Sequence, residues 1–214
     1  EAMVEMMRKM GVGCFLDPVP PLCVGSANIS LYEMVAAYNT FPSQGVFVTP
    51  IFVTRIEDNM GNVIGEFNNT KREAIGEHTA YLMANLMQGV VNSGTGVRLR
   101  AKYGLKGEIA GKTGTTNDQS DGWFIGYTPS LTAGVWVGAE DRQVHFESLA
   151  LGGGSNMALP IWGLFMQKVL ADGTLGIDEN DRFVPSGVKL ELNCDGSDAD
   201  ASHVAQDDES LYFD

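Results

Sequence analysis

A lysine, a glycine and two threonines stand together in the string Lys112-Thr113-Gly114-Thr115. A lysine ammonium beside threonine hydroxyls can hold a negatively charged ligand, because hydrogen bonds to ionised groups are strong. A string this short also occurs by chance, and Lys112 taken alone is better explained as a solvated lysine at the end of a strand. The surrounding sequence must therefore decide whether these residues form a site.

The sequence around this string is far more specific than the string itself. Residues 107–142 read GEIAGKTGTTNDQSDGWFIGYTPSLTAGVWVGAEDR and closely resemble the transpeptidase domain of penicillin-binding proteins. The runs DGWFIGYTP (121–129) and AGVWVG (133–138) are similar to the bifunctional class A members in particular. Upstream ISLYEMVAAYNTF (29–41) and downstream GG followed by ALPIW (152–162) agree with the same family. The resemblance covers about residues 1–192.

This resemblance implies an acyl-transfer reaction at a serine. A penicillin-binding protein attacks a D-Ala-D-Ala peptide bond, releases D-Ala and passes the acyl group to an amine of a neighbouring stem peptide. It implies that Lys112, Thr113 and Thr115 hold the terminal carboxylate of the donor peptide, and that Gly114 lets the strand approach the acyl chain. The Thr115 backbone N–H would be one oxyanion-hole donor, a group worth roughly 3–4 kcal/mol. No metal or cofactor is implied.

The family uses three motifs in order, S-x-x-K, S-x-N and K-T-G, and only the last is convincing here. A formal S-x-x-K at Ser186–Lys189 follows K-T-G instead of preceding it, and we interpret it as chance. A formal S-x-N at Ser26–Asn28 lies in a segment without a catalytic role in the family. We therefore expect the nucleophile and its base upstream of Glu1, and expect this chain alone to be inactive. Loss of the covering helices would expose apolar surface or require a partner.

The resemblance also sets the expected context of the parent protein. The expected function is that of a peptidoglycan D,D-transpeptidase that binds β-lactam antibiotics, with stem peptides as substrates, an upstream glycosyltransferase domain and an N-terminal membrane anchor. It would act at the extracytoplasmic face of the bacterial membrane, with other cell-wall synthesis proteins among its expected partners. Three alternatives stay open: a serine β-lactamase, a non-catalytic β-lactam-sensing or scaffold domain, and an interaction module in which K-T-G is incidental.

Charge and hydropathy exclude two further classes. The chain of 214 residues has 14 Lys and Arg against 27 Asp and Glu, a net charge of −13, which argues against nucleic-acid binding. No run of about 18 apolar residues is present to span a membrane. Residues 193–214 contain seven acidic residues and no Lys or Arg. We expect a transpeptidase unit over 1–192 and an acidic, disordered tail over 193–214; recruitment of a basic partner by the tail stays open.

Cysteine and histidine give no clear indication of a site. Cys14, Cys23 and Cys194 have no metal-ligand spacing, and the three histidines are scattered. Cys14 and Cys23 could form a disulfide in an oxidising compartment or remain free thiols.

The remaining patterns predict an α+β fold, an antiparallel sheet flanked by helices. Helices are predicted over 1–10, 30–41, 77–91 and 159–170, the second with a capping box at Ser30 and Glu33. Strands are predicted over 46–56, 63–67, 107–113, 122–127, 131–138 and 183–192, with the first two as a hairpin. Trp123 and Trp136 are assigned to sheet packing, Asn117 and Gln119 to a turn or cleft lining, and residues 152–155 to a flexible or site-bordering loop.

Overall fold

The fold combines helices with antiparallel strands, as predicted. A computed structural model describes residues 1–187. The helices are α1 (Ala2–Lys9), α2 (Leu31–Tyr38), α3 (Glu77–Asn92), α4 (Arg98–Ala101), α5 (Leu149–Gly152) and α6 (Ala158–Ala171), with 3₁₀ turns at Pro20–Val24 and Asn117–Gln119. The strands are β1 (Val46–Val48), β2 (Arg55–Glu57), β3 (Val63–Glu66), β4 (Lys71–Glu73), β5 (Ala110–Thr115), β6 (Asp121–Tyr127) and β7 (Thr132–Gly138).

The central element is the antiparallel sheet β5-β6-β7. Its strands are rich in β-branched and aromatic residues, which suit a pleated, half-buried surface. A short turn joins β6 and β7, and within it Thr128 N donates to Leu131 O at 2.8 Å. The register places Phe124 opposite both Thr113 and Val135. The strand predicted over 107–113 begins and ends later, at Ala110 and Thr115.

Helices pack on both faces of this sheet. Successive side chains of a strand point to opposite faces, so Phe124 and Ile125 face opposite layers. Trp162 of α6 packs on Phe124 with ring centroids 5.2 Å apart, and a Cβ at Gly126 would lie 2.7 Å from the Trp162 ring. On the other face a Cβ at Gly134 would lie 2.5 Å from Val35 of α2. Glycines therefore let both helices approach the sheet backbone closely.

Helix α3 packs against β5 and is confirmed close to its predicted bounds. Val91 belongs to the buried cluster that contains Phe124 and Trp162, whereas Met87 packs with Ala110 and Tyr127. The helix is buried on one face only, because Leu86 on its other side is exposed.

Helix α2 begins at the predicted capping box. Glu33 N donates to Ser30 Oγ at 3.2 Å, and Ser30 Oγ donates to Glu33 Oε2 at 2.7 Å. The other Glu33 oxygen accepts from Gly13 N at 2.8 Å and Cys14 N at 3.0 Å. These hydrogen bonds hold the Glu33 pKa below its ordinary value of 4.5, and the bond from the Ser30 side chain has the largest effect. Glu33 thereby joins α2 to the segment that follows α1.

Replacing Glu33 with Gln should lower the free energy of unfolding by about 1 kcal/mol at neutral pH. Because the folded-state pKa is depressed, this stabilisation is complete above about pH 5 and is lost as pH falls through the folded pKa. Urea unfolding of both proteins across pH 3–7 should show the difference shrinking toward acid. Glu5→Gln, at an exposed α1 position, is the control; a difference independent of pH would contradict the role of the Glu33 carboxylate.

The hairpin predicted between strands 46–56 and 63–67 is wrong for most of the first strand. β1 pairs with β4, and only β2 pairs with β3. Pro50 follows β1 and has no N–H to continue a ladder, so 46–56 divides into two short strands. The predicted strand at 183–192 is absent over 183–187, and 188–192 lie outside the described residues.

Cys14 and Cys23 are free thiols, and Cys14 packs beside the cluster of Val12 and Leu16. Cys194 and the proposed tail 193–214 lie outside the described residues. Over residues 1–187, no helix combines the length and apolar character needed to cross a bilayer.

Candidate active site

The string Lys112-Thr113-Gly114-Thr115 lies within β5, which pairs with β6 and is an edge strand among residues 1–187. Thr116 N donates toward β6, to Asp121 O at 3.3 Å. Backbone groups alternate in direction along an antiparallel strand, so the N–H and C=O groups of Thr113 and Thr115 point away from β6. The edge of β5 therefore presents a carbonyl and N–H groups beside a lysine and two threonine hydroxyls.

Lys112 is exposed, and its Nζ donates to Thr113 O at 3.0 Å. The ammonium therefore lies at the outward edge of β5, beside the backbone group that faces away from the sheet. An exposed ammonium with three donors has capacity to bind a further anionic group. The sequence placed Lys112 at a strand end; the structure instead places it inside the strand.

Gly114 lies opposite Trp123, and a Cβ at Gly114 would be 3.1 Å from Trp123 Cβ. The glycine therefore has a packing role on the sheet that the sequence did not indicate. Trp123 itself packs edge-on against Trp136, with centroids 6.4 Å apart, which confirms both tryptophans as sheet-packing residues.

Thr115 contacts the glycine-rich segment that precedes α6. Gly154 N donates to Thr115 Oγ1 at 3.0 Å. A Cβ at Gly154 would lie 2.2 Å from Gly114 O and 2.6 Å from Trp123 O, so the segment rests on the sheet backbone. Flexible linkage, one of the two interpretations of residues 152–155, is wrong, because Gly152–Gly154 are buried against the strands. The segment lies beside Thr115, as the other interpretation requires.

Thr113 contacts a threonine that sequence reasoning missed. Thr95 Oγ1 and Thr113 Oγ1 lie 2.8 Å apart, and either can donate. Thr95 follows α3 in the sequence Gly94-Thr95-Gly96. The two glycines indicate a turn after the helix, and the sequence gives no sign that Thr95 contacts β5. The two glycine N–H groups donate to Val90 O at 3.1 and 2.9 Å, which holds this turn against the end of α3.

The other sequence candidates lie in local structures. Gln119 N donates to Thr116 O at 3.2 Å in the 3₁₀ turn after β5, which supports the turn interpretation. Asn28 Oδ1 accepts from Arg142 at 2.8 Å. Ser186 is buried and its Oγ lies 3.0 Å from His78 Nδ1, while Lys189 lies outside the described residues. Within residues 1–187, no three His, Cys, Asp or Glu side chains come together to hold a metal ion.

The Gly154–Thr115 contact makes a direct prediction for stability. Gly154→Ala forces the segment away from backbone atoms that cannot yield easily, so the free energy of unfolding should fall by about 1–3 kcal/mol. Gly173→Ala is the matched control, because a Cβ there meets no atom within 4 Å. Urea unfolding measures both. Equal stability of the two variants would mean that Gly154 does not rest on β5.

An antiparallel sheet with helices on both faces and K-T-G on its edge strand defines the fold class shared by penicillin-binding transpeptidases and serine β-lactamases. The model of the penicillin binding protein transpeptidase domain matches residues 21–147. The chain belongs to this family, and its relatives over most of its length are class A members.

Two relatives show the extent of the match. Penicillin-binding protein 1A of Aquifex aeolicus is 32% identical over 169 residues, which are 79% of this chain and 22% of that protein. Penicillin-binding protein 1A of Clostridium acetobutylicum is 36% identical over 155 residues, 72% of this chain and 18% of that protein. The chain therefore spans about a fifth of the length of these relatives.

Solved structures agree on the fold. Penicillin-binding protein 1A of Haemophilus influenzae superposes with a TM-score of 0.70 at 20% identity, over 86% of this chain and 31% of that one. PonA1 of Mycobacterium tuberculosis, solved in complex with penicillin V, gives 0.67 at 23% identity, over 87% of this chain and 53% of that one. These likenesses confirm the expected α+β transpeptidase fold.

Proposed function

We propose that this chain is the C-terminal part, over residues 1–192, of the transpeptidase domain of a bifunctional class A penicillin-binding protein, which crosslinks peptidoglycan through an acyl-serine intermediate. The observation that supports this most is the edge of β5, where Lys112 and the hydroxyls of Thr113 and Thr115 lie beside outward backbone groups. A cation and hydroxyls beside free strand groups suit an extended peptide that ends in a carboxylate.

Different groups of β5 bind the substrate carboxylate and stabilise the oxyanion. Lys112, Thr113 and Thr115 bind the carboxylate of the terminal D-Ala, and a β-lactam carboxylate takes the same place. The outward Thr115 N–H donates to the oxygen that becomes negative when the carbonyl is attacked. Gly114 presents no side chain toward the acyl group, in addition to its packing on Trp123.

The chemical step needs a serine and a base from outside this chain. The base takes the serine proton as the serine oxygen attacks the penultimate D-Ala carbonyl carbon. The amide bond to the terminal D-Ala then breaks, and the base passes that proton to the departing amine. An amine of a second stem peptide next attacks the ester carbonyl and loses a proton to the base, which returns it to the serine oxygen as the ester bond breaks. The chain alone therefore carries a binding edge without the nucleophile and is inactive.

The family also supports a cellular setting for the parent protein. We place an upstream glycosyltransferase domain and an N-terminal membrane anchor in it, with the transpeptidase at the extracytoplasmic face of the bacterial membrane. Its substrates are peptidoglycan stem peptides, and other cell-wall synthesis proteins are its natural neighbours.

Intact-mass spectrometry after incubation with benzylpenicillin tests this function. A longer protein that extends upstream through the S-x-x-K motif should gain one penicilloyl adduct, and the 214-residue chain should gain none. An adduct on the short chain would place the nucleophile within residues 1–214 and return attention to Ser186. No adduct on either protein would favour the interaction-module alternative.

Turnover separates the enzymatic alternatives. A transpeptidase should hold the penicilloyl adduct for long periods and crosslink lipid-linked or polymeric stem peptides. Rapid loss of the adduct with release of penicilloate would indicate a β-lactamase. A stable adduct without crosslinking would indicate a sensing or scaffold domain.

A further inference from the structure

Two segments outside β5 contact its threonine hydroxyls, one at each threonine. Thr95 lies 2.8 Å from Thr113 Oγ1, and Gly154 N donates to Thr115 Oγ1 at 3.0 Å. Because Thr113 and Thr115 are two residues apart on a strand, their side chains point to the same face. The turn after α3 and the segment before α6 therefore reach the same face of the K-T-G strand.

These two segments are also bonded to each other. Arg98, at the start of α4, follows the Thr95 turn and donates from Nη1 to Ser155 O at 3.3 Å. The same Nη1 donates to Asn156 Oδ1. Leu99 N donates to Gly96 O at 2.9 Å, so the turn and α4 are joined as well. The contacts form a closed path from Thr113 through Thr95 and Arg98 to Gly154 and Thr115.

A carboxylate ligand at Thr113 and Thr115 would fix which group donates in each hydrogen bond around these two hydroxyls. An ionised carboxylate only accepts hydrogen bonds, and a threonine hydroxyl has one proton to donate and two lone pairs. Gly154 N–H can only donate, which leaves the Thr115 proton free for a ligand. Thr113 can donate to a ligand and keep its bond to Thr95 only when Thr95 is the donor.

We infer that Thr95 is a positioning residue for the carboxylate site: its hydroxyl donates to Thr113 Oγ1 and so directs the Thr113 proton to the ligand carboxylate. This inference rests on the proposed function, because it takes Thr113 as a carboxylate ligand. Aligned hydroxyl chains of this kind strengthen one another. Thr95 is exposed, so its bond to Thr113 adds little to the stability of the fold. The effect of the bond is to orient the Thr113 hydroxyl proton.

The test uses a longer protein that contains this chain and is acylated by benzylpenicillin. Thr95→Val keeps the shape of the side chain and removes its donor. Its second-order acylation rate by benzylpenicillin should fall about three- to tenfold. The loss should lie in the dissociation constant of the reversible complex and leave the first-order acylation step nearly unchanged. Thr95→Ser, which keeps the donor, should restore the rate to within about twofold.

Two comparisons separate positioning from a structural effect. The methyl ester of benzylpenicillin lacks the carboxylate, so Thr95→Val should react with it as fast as the unmodified protein does. Thr49→Val is the matched control: Thr49 and Thr70 form another exposed hydroxyl pair, at 2.7 Å, on the β1–β4 side of the molecule. It should leave both rates unchanged.

Each result has a defined consequence. An equal fall with benzylpenicillin and its ester, or an unchanged rate with both, would overturn the positioning role of Thr95. Failure of Thr95→Ser to restore the rate would do the same. No adduct on the unmodified longer protein would instead overturn the proposed function, and the inference with it.

Discussion

Replacing Lys112 with Ala in a longer, penicillin-reactive protein should slow acylation by benzylpenicillin roughly 10- to 100-fold. The ammonium lies at the outward edge of β5, 3.0 Å from Thr113 O, where a bound carboxylate would meet it. A hydrogen bond to a charged group contributes about 1.5–3 kcal/mol, more than a neutral one. The effect should therefore exceed that of removing the Thr95 hydroxyl. Stopped-flow or quenched acylation with labelled penicillin gives the rate.

Lys106→Ala is the control for this variant, because Lys106 is an exposed lysine only a few residues before β5. It changes the net charge equally and should leave the acylation rate unchanged. If Lys112→Ala and Lys106→Ala react alike, Lys112 is a solvated strand lysine and the K-T-G string is incidental. A fall restricted to Lys112→Ala would support the carboxylate site.

Replacing Trp162 with Ala should lower the free energy of unfolding of the 214-residue chain by about 3–5 kcal/mol. Trp162 is fully buried and packs on Phe124 across the sheet–helix interface. Its indole Nε1 also donates to Ala133 O at 3.0 Å, and the variant leaves that carbonyl without its partner. Urea unfolding gives the change through the midpoint at constant slope.

Trp136 offers a matched control, because it is the same residue type on the same sheet with 40% of its surface exposed. Trp136→Ala loses the edge-on contact with Trp123 and part of its burial, so it should cost at most about 2 kcal/mol. Trp162→Phe should fall between the two, since it keeps a ring against Phe124 and loses the N–H. Equal costs at Trp162 and Trp136 would contradict the docking of α6 on the sheet.

The elements that sequence patterns predicted well are those with strong local periodicity. Helices α3 and α6 show apolar residues at helical spacing, and β6 and β7 are aromatic and β-branched around a short turn. The Ser30–Glu33 box is local by nature and fixed the start of α2. In these cases the forces that decide the structure act within a few residues.

The parts that the sequence did not predict depend on contacts between distant residues. Strand β4, Lys71–Glu73, is polar and exposed, and its pairing with β1 rests on backbone hydrogen bonds that no apolar pattern indicates. At the site, the sequence around Lys112–Thr115 indicated the importance of this string. It did not indicate the two residues that contact the string, Thr95 and Gly154. Thr95 is 18 residues from Thr113, and Gly154 is 39 residues from Thr115. Only the packing of α3 and α6 brings these residues together.

Because Trp162 lies so close to Gly126, the effect of a substitution at either position on stability depends on the residue at the other. With a Cβ at Gly126 only 2.7 Å from the indole, even Gly126→Ala collides with the ring, so the smallest available enlargement is already harmful. The same methyl group becomes tolerable once Trp162 has shrunk, because it then occupies space that the lost ring leaves behind. The sign of one substitution thus depends on which residue stands at the other, and drift at this interface must pass through a less stable intermediate or change both residues together.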